Sequence, residues 1–146
     1  MVTFGELGAR GPMRPAVYFN ATETTGGGRR FVFNDADFLE RAGSDLSRYP
    51  LAWAMASSGA FPGIFNSVTL RRYSTVPERR EAERSLLADA RFLHLIDGGG
   101  SDNLGVETLM ELARQHHVQR RRPGRDGSRG CLIIVIDSHV PSLAVA

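Results

Sequence analysis

The chain has 146 residues, 42% of them apolar, a net charge of +2 and a single cysteine. That length holds at most one domain with a respectable core, and the composition excludes both a disordered chain and a disulfide scaffold. The charge is too small to argue for a nucleic-acid partner, no apolar run approaches the length of a membrane span, and the first residues lack the basic start and apolar core of a signal peptide.

In chain order, residues 1–14 carry glycine and proline without a period and read as a loop. Residues 15–21 (Pro-Ala-Val-Tyr-Phe-Asn-Ala) form a short apolar run of strand type, 22–28 a turn, and 30–34 (Arg-Phe-Val-Phe-Asn) a second strand, so the pair is expected to be a hairpin with a glycine-rich connection. Gly26, Gly27 and Gly28 invite comparison with a phosphate cradle, but no Lys-Ser/Thr follows and no helical pattern opens there. Residues 35–47 read as a short helix and a loop. Residues 50–58 are apolar on every side (Leu51, Ala52, Trp53, Ala54, Met55, Ala56), which predicts a buried helix with Pro50 in its first turn and Gly59 at its end. A turn at Phe61-Pro62-Gly63 precedes an extended return over 64–70.

Residues 71–91 are a charged insertion. All 18 basic residues of the chain are arginine, and the clusters at 71–72, 79–80 and 120–122 read as solvated loops, with contact to anionic head groups or phosphate as the sharper alternative. The segment 92–106 (Phe-Leu-His-Leu-Ile-Asp-Gly-Gly-Gly-Ser-Asp-Asn-Leu-Gly-Val) carries the clearest signal. An apolar run stops at Asp97, three glycines follow, and helical spacing begins after Asn103 with Val106, Leu109, Leu112 or Ala113, and His116. This predicts strand, glycine turn and helix, with a carboxylate at the carboxyl end of the strand, where open α/β sheets place their chemistry. The glycines there permit φ > 0 and close backbone approach, and Asp102 or Asn103 is suited to capping the helix. Residues 120–130 form an Arg, Pro, Gly and Ser loop. Residues 131–136 (Cys-Leu-Ile-Ile-Val-Ile) read as a strand covered on both faces, ending in Asp137-Ser138-His139. Strand, helix and strand around Asp97 indicate a three-layer α/β sheet.

An acidic residue at a strand end suits two kinds of chemistry. Asp97 could take the proton of a serine nucleophile directly, or act in a Ser-Asp-His triad with His139, which also follows a strand. His94 lies on the face opposite Asp97, because side chains alternate along a strand. No G-x-S-x-G occurs; the nearest match, Met55-Ala56-Ser57-Ser58-Gly59, lacks the first glycine and sits on a helical pattern, so Ser57 reads as a small-residue helix end rather than a nucleophile. Asp97, Asp102 and Asp126 lack the spacing of a calcium loop, and His116 and His117 are adjacent and point apart on a helix, so no metal site is expected. Against these stands an ordinary structural role for Asp97, since Asp-Gly is common wherever a strand ends in a turn.

Three segments in order resemble patatin-like phospholipases: Arg14-Pro15…Asn20-Ala21-Thr22…Thr25-Gly26, then 56–65 (Ala-Ser-Ser-Gly-Ala-Phe-Pro-Gly-Ile-Phe), then Asp97-Gly98-Gly99…Asp102-Asn103-Leu104-Gly105-Val106. The resemblance, strongest to bacterial members with Asp-Asn-Leu-Gly after the glycine turn, covers about 14–137. It implies a three-layer patatin-like sheet sandwiched by helices, of which 1–146 would be a partial domain, incomplete at its N-terminal side and at its C-terminal side. It implies a lipid acyl-ester hydrolase using a Ser-Asp dyad without histidine or cofactor, in which Asp97 is the proton acceptor. The nucleophilic serine and the oxyanion loop upstream of it are not in this sequence; Gly26, Gly27 and Gly28 mimic that loop but lie after the place where the nucleophile belongs. The resemblance further implies a phospholipid or other lipid ester as substrate, membrane-surface contact and a membrane-associated or cell-envelope location. The alternatives are a non-catalytic lipid- or protein-binding remnant and a Ser-Asp-His hydrolase using His139.

Overall fold

The computed structural model describes residues 1–8, 16–25, 27–73, 91–120 and 134–135, with the backbone alone at 116–120. They fall in two compact units, 1–103 and 104–146. The first unit is mixed α/β. After a short helix α1 (Phe4–Gly8) come β1 (Asn20–Glu23), β2 (Arg29–Val32), α2 (Asp35–Asp37) running into a π-helical turn (Phe38–Ala42), a 3-10 turn (Leu46–Arg48), α3 (Leu51–Ser58), β3 (Val68–Arg71), β4 (Phe92–Asp97) and α4 (Gly99–Asp102). Of the second unit, the helix α5 (Val106–Arg120) is described, together with Ile134 and Val135, which belong to no helix or strand.

The four strands form one sheet in the order β2-β1-β4-β3, with every pairing antiparallel. A hairpin is present near the N-terminus, but its first strand is 20–23 rather than 15–21 and its second 29–32 rather than 30–34: Ala21 lies opposite Phe31 and Glu23 opposite Arg29. Of the expected strand, helix and strand, the first two are present as β4 and α5. β4 lies between two antiparallel neighbours, and the third segment of that pattern, 131–136, falls outside the described residues except for Ile134 and Val135. Hydrophobic runs report that a strand is buried but not which strands flank it.

Alternation decides which side chains meet on the sheet. Leu93 and Leu95 of β4 are fully buried on one face, with Ala21, Phe31 and Leu70 beside them. Helix α3, the π-helical turn and the 3-10 turn cover that face through Ala54, Phe38, Ala42 and Leu46. Phe31, Phe33, Phe38 and Tyr49 form a ring cluster with centroids 5.1–6.4 Å apart, and burying each such side chain contributes about 1.5–3 kcal/mol. Glu23 is buried at the end of β1. Arg41 of the π-helical turn pairs with it on one side and Arg72, just past β3, approaches it to 3.7 Å on the other. That arrangement offsets the cost of desolvating the carboxylate and ties three elements to the sheet. Gly43 ends the π-helical turn at φ +64°, and a Cβ there would lie 1.6 Å from the carbonyl oxygen of Tyr73.

Helix α3 departs from its expected burial on every side. Ala54 and Ser57 are buried against the sheet, whereas Trp53 is 52% and Met55 59% exposed. The run of apolar residues gave the helix no polar face to mark its outer side, so composition overstated its burial. Phe61, Ile64 and Phe65, in the turn that follows, are exposed as well.

Burial within the ring cluster pushes the Tyr49 hydroxyl from its usual 10.0 up to about 12. The folded state therefore keeps this proton more firmly than the unfolded state. The contribution of Tyr49 is fully present below pH 10 and is lost as pH rises through about 12. Urea midpoints taken below pH 10 and near pH 12 should fall less in Tyr49→Phe than in the parent chain; an equal fall in both would remove Tyr49 as the cause.

Candidate functional site

Asp97 closes β4 at its carboxyl end. Its cross-strand neighbour on β1 is Ala21, a side chain too small to cover the carboxylate. On the other side β3 has not yet begun, and the chain leaving α3 takes its place: the Asp97 amide donates to the carbonyl of Ala60 at 3.0 Å and the Gly98 amide to that of Ser58 at 3.3 Å. Asp97 therefore sits where a strand end, a helix end and a glycine turn meet, and it is half-buried. Its Oδ1 accepts from the Gly99 amide at 2.6 Å. Among the described residues no donor reaches its Oδ2.

The three glycines do not use left-handed backbone. Among the described residues, those with positive φ are Gly27, Gly28, Gly43, Gly63 and Gly105, whereas Gly98 has φ −65° and ψ −20°. What the turn needs is the missing Cβ. At Gly98 a Cβ would stand 2.6 Å from the carbonyl oxygen of Asn20, and at Gly100 3.0 Å from Oγ1 of Thr22. A Cβ at Gly99 would lie 2.7 Å from Oδ1 of Asp97 and 2.8 Å from Oδ1 of Asn103, so both side chains border the space above that glycine.

Helix α4 is thereby pressed onto β1 and β2. Thr22 donates from Oγ1 to the Asp97 carbonyl at 2.8 Å and shares a hydrogen bond with Ser101 at 3.0 Å. Asp102, one of the two residues expected to cap the helix, is buried. Its Oδ2 accepts from Asn20 at 3.3 Å and lies 3.6 Å from the Arg30 guanidinium. The longer helix starts at Val106, so a short helix separates it from the strand. Asn20 and Thr22 lie in the first of the three segments quoted for the resemblance, but neither spacing nor periodicity joins them or Arg30 to Asp97 and Asp102, which they reach from about 75 residues away in the chain.

Of the other candidates, Ser57 and His94 are described, and neither bonds to Asp97. Ser57 is fully buried, and its hydroxyl donates to the Trp53 carbonyl one helical turn back at 2.8 Å. His94 lies on the opposite face of the sheet, where its Nδ1 is 3.0 Å from Oγ1 of Thr69. His139, Asp126 and Cys131 lie outside the described residues, as do the side chains of His116 and His117. Among the described residues no group of three His, Cys, Asp or Glu side chains is placed to hold a metal ion, and no helix is long and apolar enough to cross a membrane. A groove of about 760 Å³ is lined by Phe38, Tyr49, Trp53 and the stretch 66–71, not by Asp97. No family model matches the chain, and neither a curated protein nor a solved structure matches it.

The close approach at Gly98 yields a stability test. Gly98→Ala sets a methyl group against the β1 backbone and should cost on the order of 3 kcal/mol. Gly100→Ala meets only the end of the Thr22 side chain and should cost roughly 1 kcal/mol. Equilibrium urea denaturation of the two variants checks the order; a neutral Gly98→Ala would contradict the packing described.

Proposed function

We propose that Asp97 is the acid component of a Ser-Asp dyad in a lipid acyl-ester hydrolase of the patatin-like phospholipase type. The observation that carries this reading is the carboxylate itself. It stands at the end of an interior strand, one oxygen fixed by the Gly99 amide and the other without a donor among the described residues. The order of the three sequence segments resembling that family supports the same assignment, and in this reading the four-stranded sheet belongs to a three-layer sandwich.

The chemistry assigned to Asp97 is proton transfer. The serine belongs on a G-x-S-x-G elbow, a motif absent from these 146 residues. Its Oγ bonds to the ester carbonyl carbon while its proton passes to Oδ2 of Asp97. The tetrahedral intermediate collapses, the C–O bond to the alcohol breaks, and the proton leaves with the alcohol. Water then attacks the acyl-serine, giving its proton to Asp97 and, through it, back to the serine. Oδ1, held by the Gly99 amide, keeps the carboxylate aimed throughout. Substrates in this reading are phospholipids or other lipid esters, met at a membrane surface.

A second reading has Asp97 merely tying the turn, with the chain a lipid- or protein-binding element; the bond between Oδ1 and the Gly99 amide favours it. The two are separated by hydrolysis of a short-chain p-nitrophenyl ester. The enzyme assayed is a polypeptide carrying this chain together with an elbow-bearing segment. Asp97→Asn keeps an oxygen acceptor for Gly99 but cannot take the proton, so the dyad predicts a loss of at least about 10²-fold with an unchanged thermal melt. His94→Ala and His139→Ala should stay within a few-fold. Activity surviving in Asp97→Asn would leave only the turn-tying role, and a collapse in His139→Ala would replace the dyad with a triad.

A further inference from the structure

The sheet has an edge that the site around Asp97 does not use. Among the described residues β3 pairs only with β4, and the ladder fixes which of its backbone groups face outward. The Arg72 amide donates to the Arg91 carbonyl, while the Thr24 amide donates to the His94 carbonyl from the other side of β4. Leu93 and Leu95 therefore direct their amides and carbonyls to β3, bonding Leu70 and Val68, and His94 directs its own to β1. By the same alternation, the backbone N–H and C=O groups of Thr69 and Arg71 point away from the sheet. Two residues on, Tyr73 shows what that direction offers: its amide leaves the edge and donates to the Ala42 carbonyl at 2.8 Å. At Thr69 and Arg71 no such partner is present among the described residues.

The groove of about 760 Å³ runs along this edge. It is lined by 66–71 together with Phe38, Tyr49 and Trp53. A row of alternating donors and acceptors repeating every second residue is matched by the backbone of an extended polypeptide and by little else. Aromatic side chains beside it take every second side chain of such a strand. At one end Arg71, exposed and stacked over Tyr73 at 5.4 Å, supplies a positive charge.

We propose that the β3 edge binds an extended peptide as a fifth strand, with apolar side chains at alternate positions entering the groove and an acidic residue beside Arg71. The acyl chain of a lipid would fill the same groove without using the backbone of Thr69 or Arg71, which is what the test separates.

The probe is a fluorescein-labelled peptide, Thr-Val-Thr-Val-Thr-Val-Glu, followed by anisotropy on the full chain. Two further versions carry N-methyl groups on alternate residues, one set for each register. Binding is expected for the parent peptide and for one methylated version. The other should weaken by about tenfold or more, because its methyl groups remove the donors that face β3. Thr69→Pro removes an outward N–H without touching the β3–β4 ladder, a position where an edge strand tolerates proline; it should weaken the parent peptide while the thermal melt is retained. Equal binding of all three peptides would mean that the groove reads apolar side chains alone, and no binding of the parent would mean that the edge is closed; either result overturns the proposal. The methylated pair decides the matter even if Thr69→Pro does not fold.

Discussion

How closely a glycine turn can approach a strand sets the geometry of everything around Asp97. A Cβ at Gly98 would fall 2.6 Å from the Asn20 carbonyl oxygen, so only glycine lets the chain leave β4 and lie directly on β1. That approach brings Thr22 to the Asp97 carbonyl and buries Asp102 against Asn20 and Arg30. It also places the Gly99 amide under the carboxylate. Move the turn outward by the radius of a methyl group, and each of these contacts is lost together.

The same packing explains why some of the architecture was legible in the amino-acid sequence and some was not. The end of β4 at Asp97 and the helix from Val106 follow from where one periodicity stops and another begins, a local property. The hairpin is local too. Glycine at 98–100 was legible as a requirement, but glycine offers both left-handed backbone and a missing side chain, and only the fold decides which is used. Here it is the second. Antiparallel neighbours on both sides of β4, the one-sided burial of α3 and the contribution of Thr22 all depend on residues far apart in the chain, and no spacing rule reports them.

Each face of the sheet holds a buried carboxylate against arginine. On the face covered by α3, Glu23 is bracketed by Arg41 and Arg72, so that β1, the π-helical turn and the end of β3 are joined through one buried carboxylate. On the other face Asp102 takes the equivalent position against Arg30. Buried pairs of this kind specify an arrangement more than they stabilise it, since both partners lose hydration. Asp97 shares the first face but has no such cation among the described residues. It is fixed by a neutral amide instead, which holds an oxygen in place without satisfying the charge.

That the carboxylate stands on a fixed junction, and not on a loose loop, is the claim on which its chemistry rests. Amide hydrogen exchange of the native chain tests it directly, because Asp97 and Gly98 donate to Ala60 and Ser58 across the gap between strand and helix. Exchange at these two amides should be as slow as at Leu93 and Leu95 in the middle of the ladder. Exchange as fast as at the exposed Gly27 and Gly63 would contradict it, and would leave Asp97 on a turn that the fold does not hold.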